Sequence, residues 1–154
     1  MGSGRKVSML PLYGSERVQG WPKDDTIVIL AEGEKAADAL LQAGFCALGT
    51  VTGAGSTPGP EALGVLEGFE IVLWPDNDDQ GRAHMERAAR VLQGVAAGVS
   101  IFTWHDAPEK GDAADHPAVL QGARKNATSC STTSCQPRCG CHRCHSHLIR
   151  MCHL

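Results

Sequence analysis

Two carboxylates, Asp76 and Asp78, stand two residues apart in the stretch Trp74-Pro75-Asp76-Asn77-Asp78-Asp79-Gln80-Gly81. The run before them, Phe69 to Trp74, is short and apolar, as a buried strand would be, and the residues after them have helical spacing. Acids between a strand end and a helix start lie where open α/β sheets bind ligands, beyond the carboxyl ends of the strands. Hard oxygen donors in that position suit a divalent cation, Mg²⁺ or Mn²⁺, which keeps several waters and also takes up substrate phosphate. The chemistry to look for is metal-assisted reaction at phosphorus.

The elements that would position these acids repeat the same unit. Thr26 to Ala31 is a continuous β-branched and apolar run, which suits a strand covered on both faces. Glu32-Gly33 ends it, and a helical pattern runs from Glu34 to Ala43, stopped by Gly44. Phe45 to Val51 reads as a second, weaker strand. A short helix is expected from Pro60 to about Leu66, with proline at its first position. A third strand covers 69–74. The long helix from Asp79 to about Gly94 puts Met85, Ala88, Ala89, Leu92 and Val95 on one face. Val99 to Trp104 is a fourth strand. Strands alternating with helices predict an α/β, Rossmann-like fold of about four parallel strands, helices on both faces, joined by right-handed crossovers.

In a parallel sheet every strand ends on the same edge. Glu32 follows the first strand, Gly49 to Gly55 the second, Asp76 and Asp78 the third, and Lys110, Asp112 and Asp115 the fourth. Carboxylates converging there repel one another unless a cation lies among them.

In this order the residues resemble the TOPRIM domain, the metal-dependent unit shared by bacterial-type primases, topoisomerases and certain nucleases. The resemblance rests on Glu32-Gly33 after the first strand and Asp76-Asn77-Asp78 after the third, within the strings AEGEKAADAL, PDNDDQGRAHMERAARVL and KGDAADH. It covers roughly Leu10 to Ala118 and is nearest to the units of phage and plasmid primases and primase-helicases. It implies Mg²⁺-dependent nucleotidyl transfer on DNA in primer synthesis. Glu32 would serve as metal ligand or general acid/base, Asp76 and Asp78 as the metal-binding pair, Asp112 as a further acidic ligand, and Lys35 and Lys110 as phosphate contacts. The implied partners are a DNA template, nucleotides and a replicative helicase domain or protein. Such primases carry a zinc-binding module and another catalytic subdomain upstream, so the chain reads as a fragment of one. Two other readings stay open: a metal-dependent nuclease or phosphoesterase, in which the same acids direct water, and a remnant that binds metal or nucleotide without catalysis.

Plainer readings attach to the same residues. Glu32 favours a helix N-terminus through the dipole, and Asp76 and Asp78 are good turn formers. The Gly53/Gly55 loop reads as a flexible connection rather than a phosphate cradle. Arg82 faces either phosphate or solvent. His84 is expected at the surface or capping, outside the metal set. Trp74 and Trp104 read as core, and Cys46 as a buried thiol.

With 154 residues the chain has room for one domain. All 17 acids precede residue 121, against nine Lys and Arg there. Residues 121–154 carry five Lys and Arg, six of the seven Cys and four of the seven His, with no acid. The expected division is a lead-in at 1–24, whose apolar patch Met9 to Gly14 reads as an extended lead-in or an edge element, the domain at 25–118 and a Cys/His-rich tail at 119–154. The tail's Cys135, Cys139, Cys141, Cys144, His145 and His147 are crowded and lack the paired spacing of a zinc module. The tail is read as disordered and out of frame in preference to a Zn²⁺ site. An acidic domain without a basic stripe is a poor duplex-DNA binder by itself. No run of about 18 apolar residues predicts a membrane span, no signal peptide is visible, and a cytoplasmic protein is expected.

Overall fold

The computed structural model describes residues 7–24, 26–51 and 56–129. The Gly53/Gly55 loop and the Cys/His cluster of the tail lie outside the described residues.

Four strands form one all-parallel sheet: β1 (Ile27–Glu32), β2 (Cys46–Thr50), β3 (Glu70–Trp74) and β4 (Gly98–Ile101), in the spatial order β2-β1-β3-β4. The helices are α1 (Glu34–Gln42), α2 (Pro60–Leu63, continued by a 3₁₀ turn to Leu66), α3 (Asp79–Leu92) and α4 (Pro117–Ser129). The expected α/β class and parallel sheet are therefore present.

Alternation along the strands explains the layers. Val28 and Leu30 of β1, with Cys46 and Leu48 of β2 and Ile71 and Leu73 of β3, pack with Met85 and Leu92 of α3 and Leu63 of α2. Ile29, Ala31 and Ala47 point the other way, to Ala36 and Leu40 of α1 and Val119 of α4. Helices thus cover both faces, which is why the strands read as continuous apolar runs. Each fully buried Leu or Ile here is worth roughly 1.5–3 kcal/mol of transfer free energy.

Glycine stops α1 where the sequence predicts. Gly44 has φ 94°, its N–H donates to Leu41 O, and the Phe45 N–H donates to Leu40 O. That is the Schellman arrangement, and the left-handed residue closing it favours glycine.

Four expectations are corrected. The lead-in belongs to the fold: Leu12 and Val18 are buried in the core, and Tyr13 exchanges two backbone hydrogen bonds with Gly49 at the β2 edge. The domain does not stop at 118, because α4 continues to Ser129 and buries Val119 completely against the α1 side. β4 ends at Ile101, and Trp104 lies beyond it, half-buried. His84 is completely buried rather than at the surface. Its place follows from Gly81, His84, Met85, Ala88 and Leu92, which form one buried stripe on α3.

Candidate functional site

The chain direction reverses between β1 and β3. From β1 the sequence moves outward to β2, returns past β1 to β3, then continues outward to β4. A crevice at such a switch point, at the carboxyl ends of the strands, is the usual ligand position in open α/β sheets. Glu32 ends β1 and Asp76 follows β3, and the two strands pair directly, Ala31 opposite Trp74. The sheet thus brings together acids that are distant in sequence.

Close packing tightens the arrangement. A Cβ placed on Gly81 would lie 2.7 Å from Asp76 O, 2.9 Å from Glu32 Oε2 and 3.0 Å from Asp76 Cβ. Only glycine lets the first turn of α3 come down on both acids. On the other flank, a Cβ on Gly49 would lie 2.6 Å from Gly33 O, so the Glu32-Gly33 turn crosses β2 at contact distance. Gly33 itself has φ 86°, a conformation that favours glycine.

Asp78 is the N-cap of α3, its Oδ1 accepting from the Gly81 N–H at 2.7 Å. The turn-forming reading of this residue is therefore correct for one of its two oxygens. Asp112 is held at both. Its Oδ1 accepts from the Ala114 N–H at 2.7 Å, and its Oδ2 takes Lys35 Nζ at 3.0 Å. Asp115 completes a capping box with it, accepting from the Asp112 N–H at 3.1 Å.

Asn77 ties these parts together. Its N–H donates to Gly111 O at 2.9 Å, and its O accepts from the Lys110 N–H at 3.2 Å. Its Nδ2 donates to Ala107 O and Pro108 O, both at 3.0 Å. Its Oδ1 accepts from Arg82 Nη1 at 3.0 Å. The loop carrying Lys110 and Asp112 is therefore laced to the loop carrying Asp76. Lys110 adopts φ 58°, an uncommon conformation for a residue with a side chain.

Electrostatics show what the cluster lacks. The Asp76 carboxyl is pushed up to about 7, first by burial, then by Glu32, Asp112 and Asp78, with Lys35 opposing. Burial and the Asp78 charge also raise Glu32, and a hydrogen bond with the Asp76 backbone and the Arg87 charge only partly offset them. Glu32 Oε2 is buried with no hydrogen-bond partner. An orphaned carboxylate oxygen beside a carboxyl near neutrality is an environment short of positive charge. Glu32, Asp76 and Asp78 are oxygen donors that could take a divalent cation, with Asp112 added only if Lys35 leaves its Oδ2, and their chemistry suits Mg²⁺ or Mn²⁺. Among the described residues no group of three or more His, Cys, Asp or Glu side chains is placed to hold a metal ion as they stand.

Of the expected basic contacts, Lys35 lies over Asp112 and Lys110 is exposed on the adjoining loop. Arg82 is bound to Asn77 and to Asp79, the latter at 2.8 Å. Sequence reasoning missed Gly81, Asn77, Thr50 and His84. Glycine in the first turn of a good helix was the available signal for close approach. Thr50, the register partner of Glu32, is buried with its hydroxyl unpartnered, and both His84 ring nitrogens are buried and unpartnered.

Compared with known proteins, the chain matches no family model, no curated protein and no solved structure.

Proposed function

We propose that the chain is a TOPRIM-type unit performing Mg²⁺-dependent nucleotidyl transfer on DNA, in the synthesis of primers by a primase. The reading is carried by one observation: Glu32 and Asp76 adjoin at the ends of paired strands at the switch point, with Glu32 Oε2 buried and unpartnered. The parallel sheet, the Glu-Gly pair after β1 and the Asp-x-Asp after β3 support it.

Glu32, Asp76 and Asp78 hold the ion in this reading, and Asp112 joins them if Lys35 turns away. When bound, the ion neutralises nucleotide phosphate and steadies the attacking or leaving oxygen. As the alternative to ligating the ion, Glu32 is placed beside Asp76 to take the proton from a 3′-hydroxyl as that oxygen bonds to phosphorus and pyrophosphate leaves. Lys35 and Lys110 bind phosphate oxygens. The partners are a DNA template, nucleoside triphosphates and a replicative helicase, in the cytoplasm. Among the described residues no helix is long and apolar enough to cross a membrane.

The test is a calorimetric titration with Mn²⁺ of the parent, Asp76→Ala and Asp78→Ala. It is joined to an assay of primer synthesis on single-stranded DNA with Mg²⁺ and nucleotides. Weakened Mn²⁺ binding in both variants and metal-dependent extension are expected. Unchanged Mn²⁺ binding sinks the metal site. Metal-dependent cleavage without extension replaces the primase with a phosphoesterase.

A further inference from the structure

A cavity of about 340 Å³ opens beside the acids, between the β3–α3 loop and the chain leaving β4. Its wall includes Asp76, so it is continuous with the carboxylate cluster. The rest of the wall is mostly different in kind. Trp74, Ile101, Phe102 and Trp104 make one side apolar, and Arg82 and Glu86, of opposite charge, stand on the rim.

Two features mark this wall as a surface for a ligand. Ile101 is 44% exposed at the end of β4, where a large aliphatic side chain gains nothing from water. The aromatic rings beside it are fixed by mutual packing. Trp74 and Phe102 have centroids 4.2 Å apart, and His116 meets Trp104 at 4.8 Å with an interplanar angle of 67°. His116 is itself anchored, its Nδ1 accepting from the Ala118 N–H at 3.2 Å. A rigid aromatic wall accepts a flat ring at little ordering cost. The volume is in the range of small-molecule sites.

The occupant must satisfy both ends of the cavity. One end is apolar and aromatic. The other reaches Asp76, one carboxylate of the acidic cluster, where a cation held as in the reading above would bring an anionic group. A nucleotide has that polarity: a planar base joined by a sugar to phosphates. We propose that this cavity receives the base of an incoming nucleoside triphosphate, seated against Trp104 and Ile101, while its phosphates lie at Glu32 and Asp76. The phosphate half of this assignment rests on the metal-site reading above; the base half rests on the cavity alone. Stacking on Trp104 recognises any base by its π-face, so the site binds purines and pyrimidines with modest preference.

The experiment uses the full chain and two readouts, calorimetry and tryptophan fluorescence. The probes are Mg²⁺-ATP, Mg²⁺-tripolyphosphate, adenosine without metal, and a short oligo-dT. The parent should bind Mg²⁺-ATP about tenfold more tightly than Mg²⁺-tripolyphosphate. Adenosine should perturb the fluorescence. Trp104→Ala should reduce the ATP preference to about twofold or less, leaving tripolyphosphate affinity and the circular dichroism spectrum unchanged. Ile101→Glu, at an exposed position that tolerates the change, should weaken ATP and adenosine alike. Equal affinity for ATP and tripolyphosphate in the parent overturns the proposal, as does a preference that survives both substitutions. Tighter binding of oligo-dT than of ATP, lost in Trp104→Ala, overturns the choice of a free nucleotide in favour of a strand base. Binding of adenosine at Trp104 without any Mn²⁺ or tripolyphosphate binding upholds the base site and removes the metal reading.

Discussion

Glu32 Oε2 lies 2.9 Å from the point where a Cβ on Gly81 would stand. Helix α3 therefore approaches the acid more closely than any other residue type permits. In an ordinary helix Gly→Ala gains about 1 kcal/mol. Here the added methyl also meets Asp76 O at 2.7 Å, and backbone cannot yield cheaply. Overpacking of this kind costs about 1–3 kcal/mol. Gly81→Ala is expected to lose on the order of 1 kcal/mol in urea unfolding and to weaken Mn²⁺ binding about tenfold. A more stable variant with unchanged Mn²⁺ affinity would contradict the packing account.

Asp76 sets a pH dependence. Its folded-state value is raised from 3.8 to about 7, so the folded protein holds a proton that the unfolded chain releases. The associated stability is complete below pH 3.8 and is lost as pH rises through about 7. Asp76→Asn removes the charge that causes the loss. In EDTA at pH 8 the variant should exceed the parent by on the order of 1–2 kcal/mol, after discounting the shift for solvent screening. At pH 5 the difference should shrink. Urea unfolding at the two pH values measures both, and a larger advantage at pH 5 would reverse the sign and refute the repulsion.

His84 acts in the opposite direction. Burial, aided by the Arg87 charge, lowers its pKa below the ordinary 6.5. Stability from the neutral ring is full above that ordinary value and is lost as pH falls below it. Both ring nitrogens are buried without partners. His84→Met keeps comparable bulk and removes those polar atoms. A gain on the order of 1 kcal/mol at pH 5, smaller at pH 8, is expected from chemical denaturation. A destabilised variant at both pH values would mean that the ring has a hydrogen-bonded role.

Lys35 separates charge balance from phosphate binding. Its pair with Asp112 is 3.0 Å long, but the lysine side chain is 72% exposed. Lys35→Ala should change stability by less than about 1 kcal/mol. It should leave Mn²⁺ affinity intact or improved, since the ion loses a competitor for Asp112 Oδ2. Affinity for Mg²⁺-tripolyphosphate should fall several-fold. Calorimetry with the two probes decides the matter; parallel loss of both would place Lys35 in the scaffold instead.

Asn77 is the clasp between two loops. Asn77→Ala deletes both Nδ2 bonds to the Ala107–Pro108 carbonyls and the Arg82 contact. A loss of about 1–2 kcal/mol is expected in urea unfolding. Hydrogen exchange should quicken at Lys110 and Gly111, whose backbone faces Asn77. Protection unchanged at those amides would show that the loops are held by other means.

The strands and most helices were legible because a parallel sheet covered on both faces writes itself as short apolar runs. Glu32, Asp76 and Asp78 were legible because each follows such a run. The role of Gly81 was only half legible: a glycine in the first turn of a helix signals close approach, but what it approaches depends on where α3 lands. Asn77 looked like a spacer between two acids, and its partners lie some 30 residues onward in a loop without periodicity. The lead-in is hard to read because Leu12 lies in a short apolar patch broken by Pro11, and Val18 is a lone apolar residue in a 3₁₀ turn. The boundary at 118 misplaced α4 because acids vanish from the sequence there while Val119 still faces the core.

The pairing of β1 with β3 has a consequence for the chain as it is made. Ile27 lies opposite Glu70, with α1, β2 and α2 between them in sequence. Contacts of such range close late, after local helices have formed. A nascent chain that has emerged only through β2 presents Glu32 alone, without its opposite number. Any cation held between Glu32 and Asp76 would therefore act as a latch on the finished sheet, adding about 2.7 kcal/mol at a hundredfold excess over its dissociation constant. Cation uptake would report the moment at which synthesis and folding of the central strands are complete.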